Sequence, residues 1–205
     1  MRHCLIACAA VIALASAASA ETRNLSGFTG VAVADRIEVE VATGDRYRVE
    51  IIGSEAGRVR TEIEDGVLRI QQRNRPWFGG TPRIDARVVV TLPTVETLAA
   101  SRGASLSADD INARAISLAA SMGGTIEISG RCSDLSASAS MGGSIDAENF
   151  ECGTANLSAS MGGDMDVFAS TTYNASASMG GSISVDGEAQ AREVASSMGG
   201  SVSRQ

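Results

Sequence analysis

Five methionines, each followed by two glycines, are the most regularly spaced residues with a usable chemistry. They are Met122, Met141, Met161, Met179 and Met198, at intervals of 19, 20, 18 and 19 residues. A row of exposed thioethers could form an apolar contact strip, because Met side chains repack easily against a partner. The same row could hold a soft cation such as Cu(I). The structural alternative is that each Met fills a corner of the chain beside its glycines.

Carboxylates form a second regular set. Glu127, Asp146 and Asp166 occupy the same position relative to successive methionines, and Asp164 lies close by. Stacked like charges repel unless they are screened or bridged. Ca²⁺, which binds several oxygen ligands, would relieve that repulsion. The alternative is an ordinary solvated face without a metal.

Two cysteines have equivalent positions in neighbouring repeats. Cys132 and Cys152 each lie nine residues before a repeat methionine. Because equivalent residues of stacked repeats lie within disulfide range, the spacing predicts a bond between them. The single His of the chain is His3, in a segment expected to be removed. The mature chain therefore has no His for a catalytic triad or a zinc site.

An aromatic pair lies in a loop between two expected strands. Trp77 and Phe78 are within "RNRPWFGGTPR", residues 73–83, where Pro and Gly interrupt the strand pattern. The loop is either a basic aromatic contact site or a hairpin tip whose rings fold back onto the sheet.

The repeats predict how these residues are positioned. A period near 20 is typical of solenoid proteins. Apolar residues recur at fixed offsets from each Met and alternate with outward Ser, Thr and Asn, which is the pattern of short stacked parallel strands. The first inward set is Leu106, Ile126, Ile145, Met165, Ile183 and Val202. Residues 93–205 are therefore expected to form a parallel, right-handed β-helix of 19–20 residues per coil, with each Gly-Gly pair at a corner. The outward polar strip is a weak signal for carbohydrate or ice binding.

The remainder of the chain divides into a leader and a strand region. Residues 1–20 combine a basic start, an apolar run and Ala18-Ser19-Ala20, which predicts a cleaved signal peptide and an exported protein without a transmembrane segment. Residues 21–92 are expected to form a β-strand region, because apolar and polar residues alternate with period two from Phe28 to Leu92. Within this region, "TGD" at 43–45 and "EDG" at 64–66 predict turns between antiparallel strands. The chain is therefore expected to be all-β.

Charge narrows the range of partners. The formal net charge is −7, and every basic residue is Arg. The acidic excess lies after residue 92, which argues against nucleic acid as a partner of the β-helix. The carboxylate row has Ser and Ala as outward neighbours and no Lys, so a polysaccharide-cleaving β-helix enzyme is the weakest hypothesis.

Two segments carry a family resemblance. "FTGVAVADRIEVEVATGDRYRVEII" at 28–52 and "VVVTLPTVETLAASRGASLSADD" at 88–110, followed by small-residue turns, resemble the bacterial putative auto-transporter adhesins with a head GIN domain. The resemblance implies an all-β protein of the envelope or cell exterior, and it brings no catalytic residues. Met-Gly-Gly stands where relatives often have Ser-Gly-Ala.

The sequence thus predicts an exported, non-catalytic protein of the periplasm, outer surface or medium, which presents a β-helix surface to a protein or glycan of the cell envelope. The alternative is a metal-binding envelope protein that uses the methionines for Cu(I) or the carboxylates for Ca²⁺. No other cofactor is expected. The chain ends soon after its last repeat, which predicts an open strand edge; either a second copy covers it by self-association, or Arg204 and Gln205 discourage pairing there.

Overall fold

The computed structural model describes residues 20–74 and 82–205, which are almost entirely β-structure. Its first strands are β1 (Ala20–Arg23), β2 (Gly30–Val33), β3 (Glu38–Thr43), β4 (Arg48–Ile52), β5 (Val59–Glu64), β6 (Val67–Gln72), β7 (Arg87–Leu92) and β8 (Thr97–Ser101). The repeats supply β9 (Ser105–Ser121), β10 (Thr125–Ser140), β11 (Ser144–Ser160), β12 (Asp164–Ser178), β13 (Ser182–Asp186), β14 (Gln190–Ser197) and β15 (Ser201–Arg204). One 3₁₀ turn, Ala56–Arg58, precedes β5. Within the described residues, no helix has the length and apolarity needed to cross a membrane.

The strands stack in parallel to form a β-solenoid. In one stack, β6 pairs with β2, β2 with β8, and β8 with the second half of β9, from which the stack continues through β10, β11 and β12 to β14. In the other, β7 pairs with β3, β3 with the first half of β9, and the series ends at β13 and β15. The coils from β2–β3 and from β8 onward pass from the first stack to the second through a tight turn. The predicted all-β solenoid is confirmed.

Apolar side chains form continuous columns inside the coils. One column consists of Val88, Val39, Leu106, Ile126, Ile145, Met165, Ile183 and Val202. The opposite wall consists of Leu68, Val31, Leu98, Leu118, Ala137, Leu157, Ala175 and Val194. Ile126 and Ile183 are fully buried and Ile145 is 1% exposed. The columns predicted from the repeat period are therefore confirmed.

The expected antiparallel arrangement of residues 28–92 is largely wrong. Strands β5 and β6 do form an antiparallel hairpin around Asp65 and Gly66, and β4 pairs antiparallel with β1 and β7. Strands β2, β3, β6 and β7, however, pair in parallel and extend the inner columns. The change of composition at residue 93 therefore does not coincide with a change of architecture.

A disulfide joins two neighbouring coils, as predicted. Cys132 and Cys152 are register partners in β10 and β11, with their Cα atoms 4.5 Å apart. Cys152 is fully buried. Because the bond closes a loop of 20 residues, loop-closure entropy gives it a stabilising contribution of about 3 kcal/mol.

Candidate functional site

The repeat turns share one backbone conformation. The five methionines have φ between 47° and 49°, and the glycine that follows each has φ between 72° and 78°. A hydrogen bond closes each turn, for example from the Gly143 N–H to the Ser140 carbonyl oxygen at 2.9 Å. Two consecutive residues with positive φ and this closing bond are the signature of a type I′ turn.

The turn presents the Met side chains to solvent on one edge of the solenoid. Met122 is 45% exposed, Met141, Met161 and Met179 are each 47% exposed, and Met198 is 74% exposed. The flanking residues stay in register from coil to coil, so the five methionines lie in one line. We call this line the methionine ridge.

Met is an unfavourable residue for this backbone conformation. A side chain in the left-handed region costs about 1–2 kcal/mol, and Gly, Asn and Asp are the residues that occupy it most readily. The turn geometry alone would therefore favour Asn or Gly at all five positions. The five methionines therefore share a strained and exposed position.

The two glycines of each turn have different roles. The first has positive φ and open space at its Cβ position, as at Gly142. The second lies against the preceding coil, and a Cβ at Gly143 would be 2.4 Å from the Ala120 carbonyl oxygen. Ala104 and Ile37 occupy the equivalent corner in earlier coils and are buried there. Among the corners that the structure describes, those of the Met-Gly-Gly coils are closed to side chains, whereas the two earlier ones hold Ala104 and Ile37.

The ridge begins beside a buried ion pair. Asp35 and Arg102 hold the Met position in the two coils before Met122, and both have positive φ. The Arg102 Nε donates to Asp35 Oδ1 at 2.7 Å, with 34% and 2% of the two side chains exposed. An unpaired Arg is costly to bury to this degree. The observed pairing with Asp35 supplies the missing compensation.

Three of the four carboxylates predicted as a metal site share one outer column, and the fourth, Asp164, lies in the neighbouring column. Glu127 pairs with Asp146 and Asp146 with Asp166, while Asp164 precedes Asp166 on the same face of β12. Burial, followed by the charges of Asp164, Asp146 and Asp186, raises the pKa of Asp166. The charge of Asp146 is the main cause of a raised pKa at Glu148. Across residues 20–74 and 82–205, no three His, Cys, Asp or Glu side chains gather closely enough to hold one metal ion. The Ca²⁺ site stays a prediction.

Neutralising Asp166 is expected to stabilise the fold at neutral pH. Its folded-state pKa lies above the ordinary value of 3.8, so the folded chain holds the proton more tightly than the unfolded chain. The contribution of Asp166 to the free energy of unfolding is then most favourable below pH 3.8 and is lost as the pH rises through the folded-state pKa. Asp166→Asn should raise the midpoint of thermal unfolding at pH 7, and the gain should vanish below pH 3.8.

The matched control for this prediction is Asp45→Asn, at an exposed turn residue outside the column. It should leave the midpoint almost unchanged at both pH values. Because salt screens exposed charges, high salt should also reduce the difference in the midpoint of thermal unfolding between Asp166→Asn and the wild type. Equal melting of wild type and Asp166→Asn at pH 7 would show that the column carries no net repulsion.

The outer face of the other stack is polar and flat. Ser138, Ser158 and Ser176 are register partners, and the Asn174 Nδ2 donates to Asn156 Oδ1 at 2.8 Å. They line a shallow groove of about 410 Å³ that adjoins a second groove of about 540 Å³ around Arg114. This face offers hydroxyl and amide groups, and none of the exposed large apolar residues lies among the residues that line the two grooves.

The structure brings together some of the predicted site residues and not others. The predicted contact residues Trp77 and Phe78 lie outside the described residues. The structure aligns all five methionines and does not bring them together with the acidic column, which lies on the outer face of the following strands. The αL backbone of the methionines and the Asp35–Arg102 pair were both missed. The adjacent Gly-Gly pairs indicated a corner, but no residue pattern indicated a strained Met.

Solved structures of putative adhesins share the fold of this chain. A putative adhesin of Bacteroides fragilis NCTC 9343 is similar in structure, with a TM-score of 0.71 and 12% identity, covering 93% of this chain and 98% of that one. A putative adhesin of Parabacteroides merdae ATCC 43184 has a TM-score of 0.53 and 13% identity over 91% and 95%. At these identities the likeness concerns the fold. A search of curated proteins finds no match.

The family comparison supports the resemblance read from the two sequence segments. Residues 27–189 match the family described as putative auto-transporter adhesin, head GIN domain. The matched range extends from the residue before Phe28 to the buried Ala189, and so includes most of the stacked coils and four of the five ridge methionines. The chain therefore belongs to the putative auto-transporter adhesin, head GIN domain family.

Proposed function

We propose that this chain is an exported, non-catalytic protein of the bacterial envelope or cell surface, and that it works by contact through its solenoid surface. The methionine ridge is the contact strip, and its partner is a protein or glycan of the envelope. The observation that carries the proposal is the ridge itself, where five half-exposed methionines occupy a backbone conformation that disfavours them.

The chemistry of the ridge suits adaptable contact. Flexible thioether side chains can repack against different apolar surfaces, while the rigid coils beneath keep them in line. Isolated exposed apolar residues are normal in proteins, but a continuous apolar line on an otherwise polar surface is typical of an interaction site. The family membership and the adhesin-like structural neighbours fit the same general function. The features of residues 1–20 support export.

The test is binding of the full-length chain, as the cell processes it, to envelope vesicles of the bacterium that carries it. Three forms are compared: wild type, a variant with Met→Leu at all five ridge positions, and one with Met→Asn at all five. Leu keeps the apolar surface and the backbone strain. Asn removes the apolar surface and fits the left-handed turn better. Wild type and the Leu form should bind, and the Asn form should lose binding.

Circular dichroism and thermal unfolding control for folding, and the Asn form should melt no lower than the wild type. Undiminished binding by the Asn form would remove the ridge from the proposal. A wild-type chain that binds no envelope fraction, or that fractionates with the cytoplasm, would contradict the proposed function as a whole.

A further inference from the structure

We propose that the methionine ridge is a binding site for Cu(I), with thioether sulfurs of neighbouring coils as paired ligands. This inference goes beyond the contact function, since it depends on the sulfur atoms and not on the apolar surface.

The ridge has the regularity that paired coordination needs. Neighbouring turns are held in register on both sides, for example by the pairs Ser140–Ser160 and Ser144–Asp164 around Met141 and Met161. The Gly142 N–H also donates to the Met161 carbonyl oxygen at 3.3 Å, which ties adjacent turns together. The methionines agree in φ to within 2°, and four of them are 45–47% exposed. The backbones of adjacent turns are thus related by a translation of about 4.8 Å along the stack.

A spacing of about 4.8 Å suits two sulfur atoms that bind the same metal ion. Metal–sulfur bonds in proteins are about 2.3 Å long, so two sulfurs separated by one coil spacing can lie on opposite sides of a single ion. Met side chains have enough rotatable bonds to adjust the last few tenths of an ångström. No backbone movement is required.

The donor atoms favour a soft cation over a hard one. Thioether sulfur selects Cu(I), whereas Ca²⁺ and Mg²⁺ take oxygen ligands. The columns flanking the ridge supply Ser on one side, and on the other Thr125, Ser144, Asp164, Ser182 and Ser201. Asp164 is the single carboxylate in those columns. In the part of the chain that the structure describes, no grouping of His, Cys, Asp or Glu offers a competing metal site.

The affinity for Cu(I) is expected to differ along the ridge. Arg102 holds the Met position in the coil before Met122 and places a guanidinium at that end, although Asp35 partly neutralises it. A nearby positive charge disfavours a cation. The Met122–Met141 pair, which lies closest to Arg102, is therefore the weakest of the four sites. Binding is a ligand exchange in which copper enters and leaves as Cu(I), so no electron donor or acceptor is involved.

The test is anaerobic titration of the chain as the cell processes it, without residues 1–20 and their two cysteines, with Cu(I) kept reduced by ascorbate, in competition with a chromogenic Cu(I) chelator. The wild type should withdraw copper from the chelator. The double variant Met141→Leu/Met161→Leu should lose most of that binding, and the five-fold Leu form should lose all of it. The matched control is Met165→Leu, because Met165 is fully buried in the core column, and it should bind copper as the wild type does.

A second probe, Ag(I), removes any ambiguity from copper redox chemistry. It is a soft cation of the same charge, and in a wild-type sample it should shift the NMR signals of the ridge methyl groups while leaving that of Met165 unmoved. Copper or silver binding that survives in the five-fold Leu form, or absence of binding in the wild type, would overturn the inference. Because the Leu form keeps the apolar strip, loss of copper with retained vesicle binding separates this site from the contact function.

Discussion

Replacing Ile145 with Ala is expected to lower the free energy of unfolding by about 3–4 kcal/mol, within the range of about 2–5 kcal/mol typical of buried Ile-to-Ala changes. Ile145 is 1% exposed and lies between Ile126 and Met165, both fully buried, in the central column. Because the coils above and below are fixed by backbone hydrogen bonds, they cannot collapse into the space that the side chain leaves. The cavity therefore remains, and its cost adds to the lost burial of apolar area.

The matched control lies one residue away. Ser144 precedes Ile145 on β11 and is directed to the outer face, so Ser144→Ala should change stability by no more than about 0.5 kcal/mol. Urea denaturation followed by circular dichroism measures both changes. If Ile145→Ala costs as little as Ser144→Ala, Ile145 does not lie in a packed column.

The repeats could be predicted because the signal was redundant. Several coils carry the same offsets from Met, and each offset holds either apolar or small residues throughout. A register error of one residue would have placed Ile126 and Ile145 outside. The disulfide followed from the same register, since Cys132 and Cys152 occupy equivalent sites of adjacent coils.

The strands of residues 28–92 could not be placed in the same way. Strand β2 lies between β6 and β8, so its neighbours are distant in the chain and no repeat period links them. Alternation with period two predicts strands but does not decide between parallel and antiparallel partners. Turn residues predicted the β5–β6 hairpin correctly, because Asp65 and Gly66 close a local pairing.

The positive φ of the ridge methionines could not be predicted from the sequence for a different reason. Gly, Asn and Asp are the residues usually found in left-handed turns, so Met at the first turn position does not predict positive φ. The closing hydrogen bond and the stacking of the coils impose it. Exposure of the methionines follows from this backbone, since the turn directs their side chains away from the core.

Five methionines form one exposed ridge, whereas the sixth methionine of the repeats, Met165, lies in the core. Oxidation by hydrogen peroxide distinguishes the two environments, because conversion of Met to its sulfoxide depends on exposure of the sulfur. Met165 is 0% exposed, whereas the ridge methionines are 45–74% exposed. Met198 is the most exposed and should react first.

Mass spectrometry of peptides from peroxide-treated folded protein is therefore the most direct measurement. We expect one added oxygen at each of Met122, Met141, Met161, Met179 and Met198, and none at Met165 until the chain is denatured. Oxidation of Met165 at the rate of the ridge residues, or protection of the ridge residues to the same degree as Met165, would contradict the account.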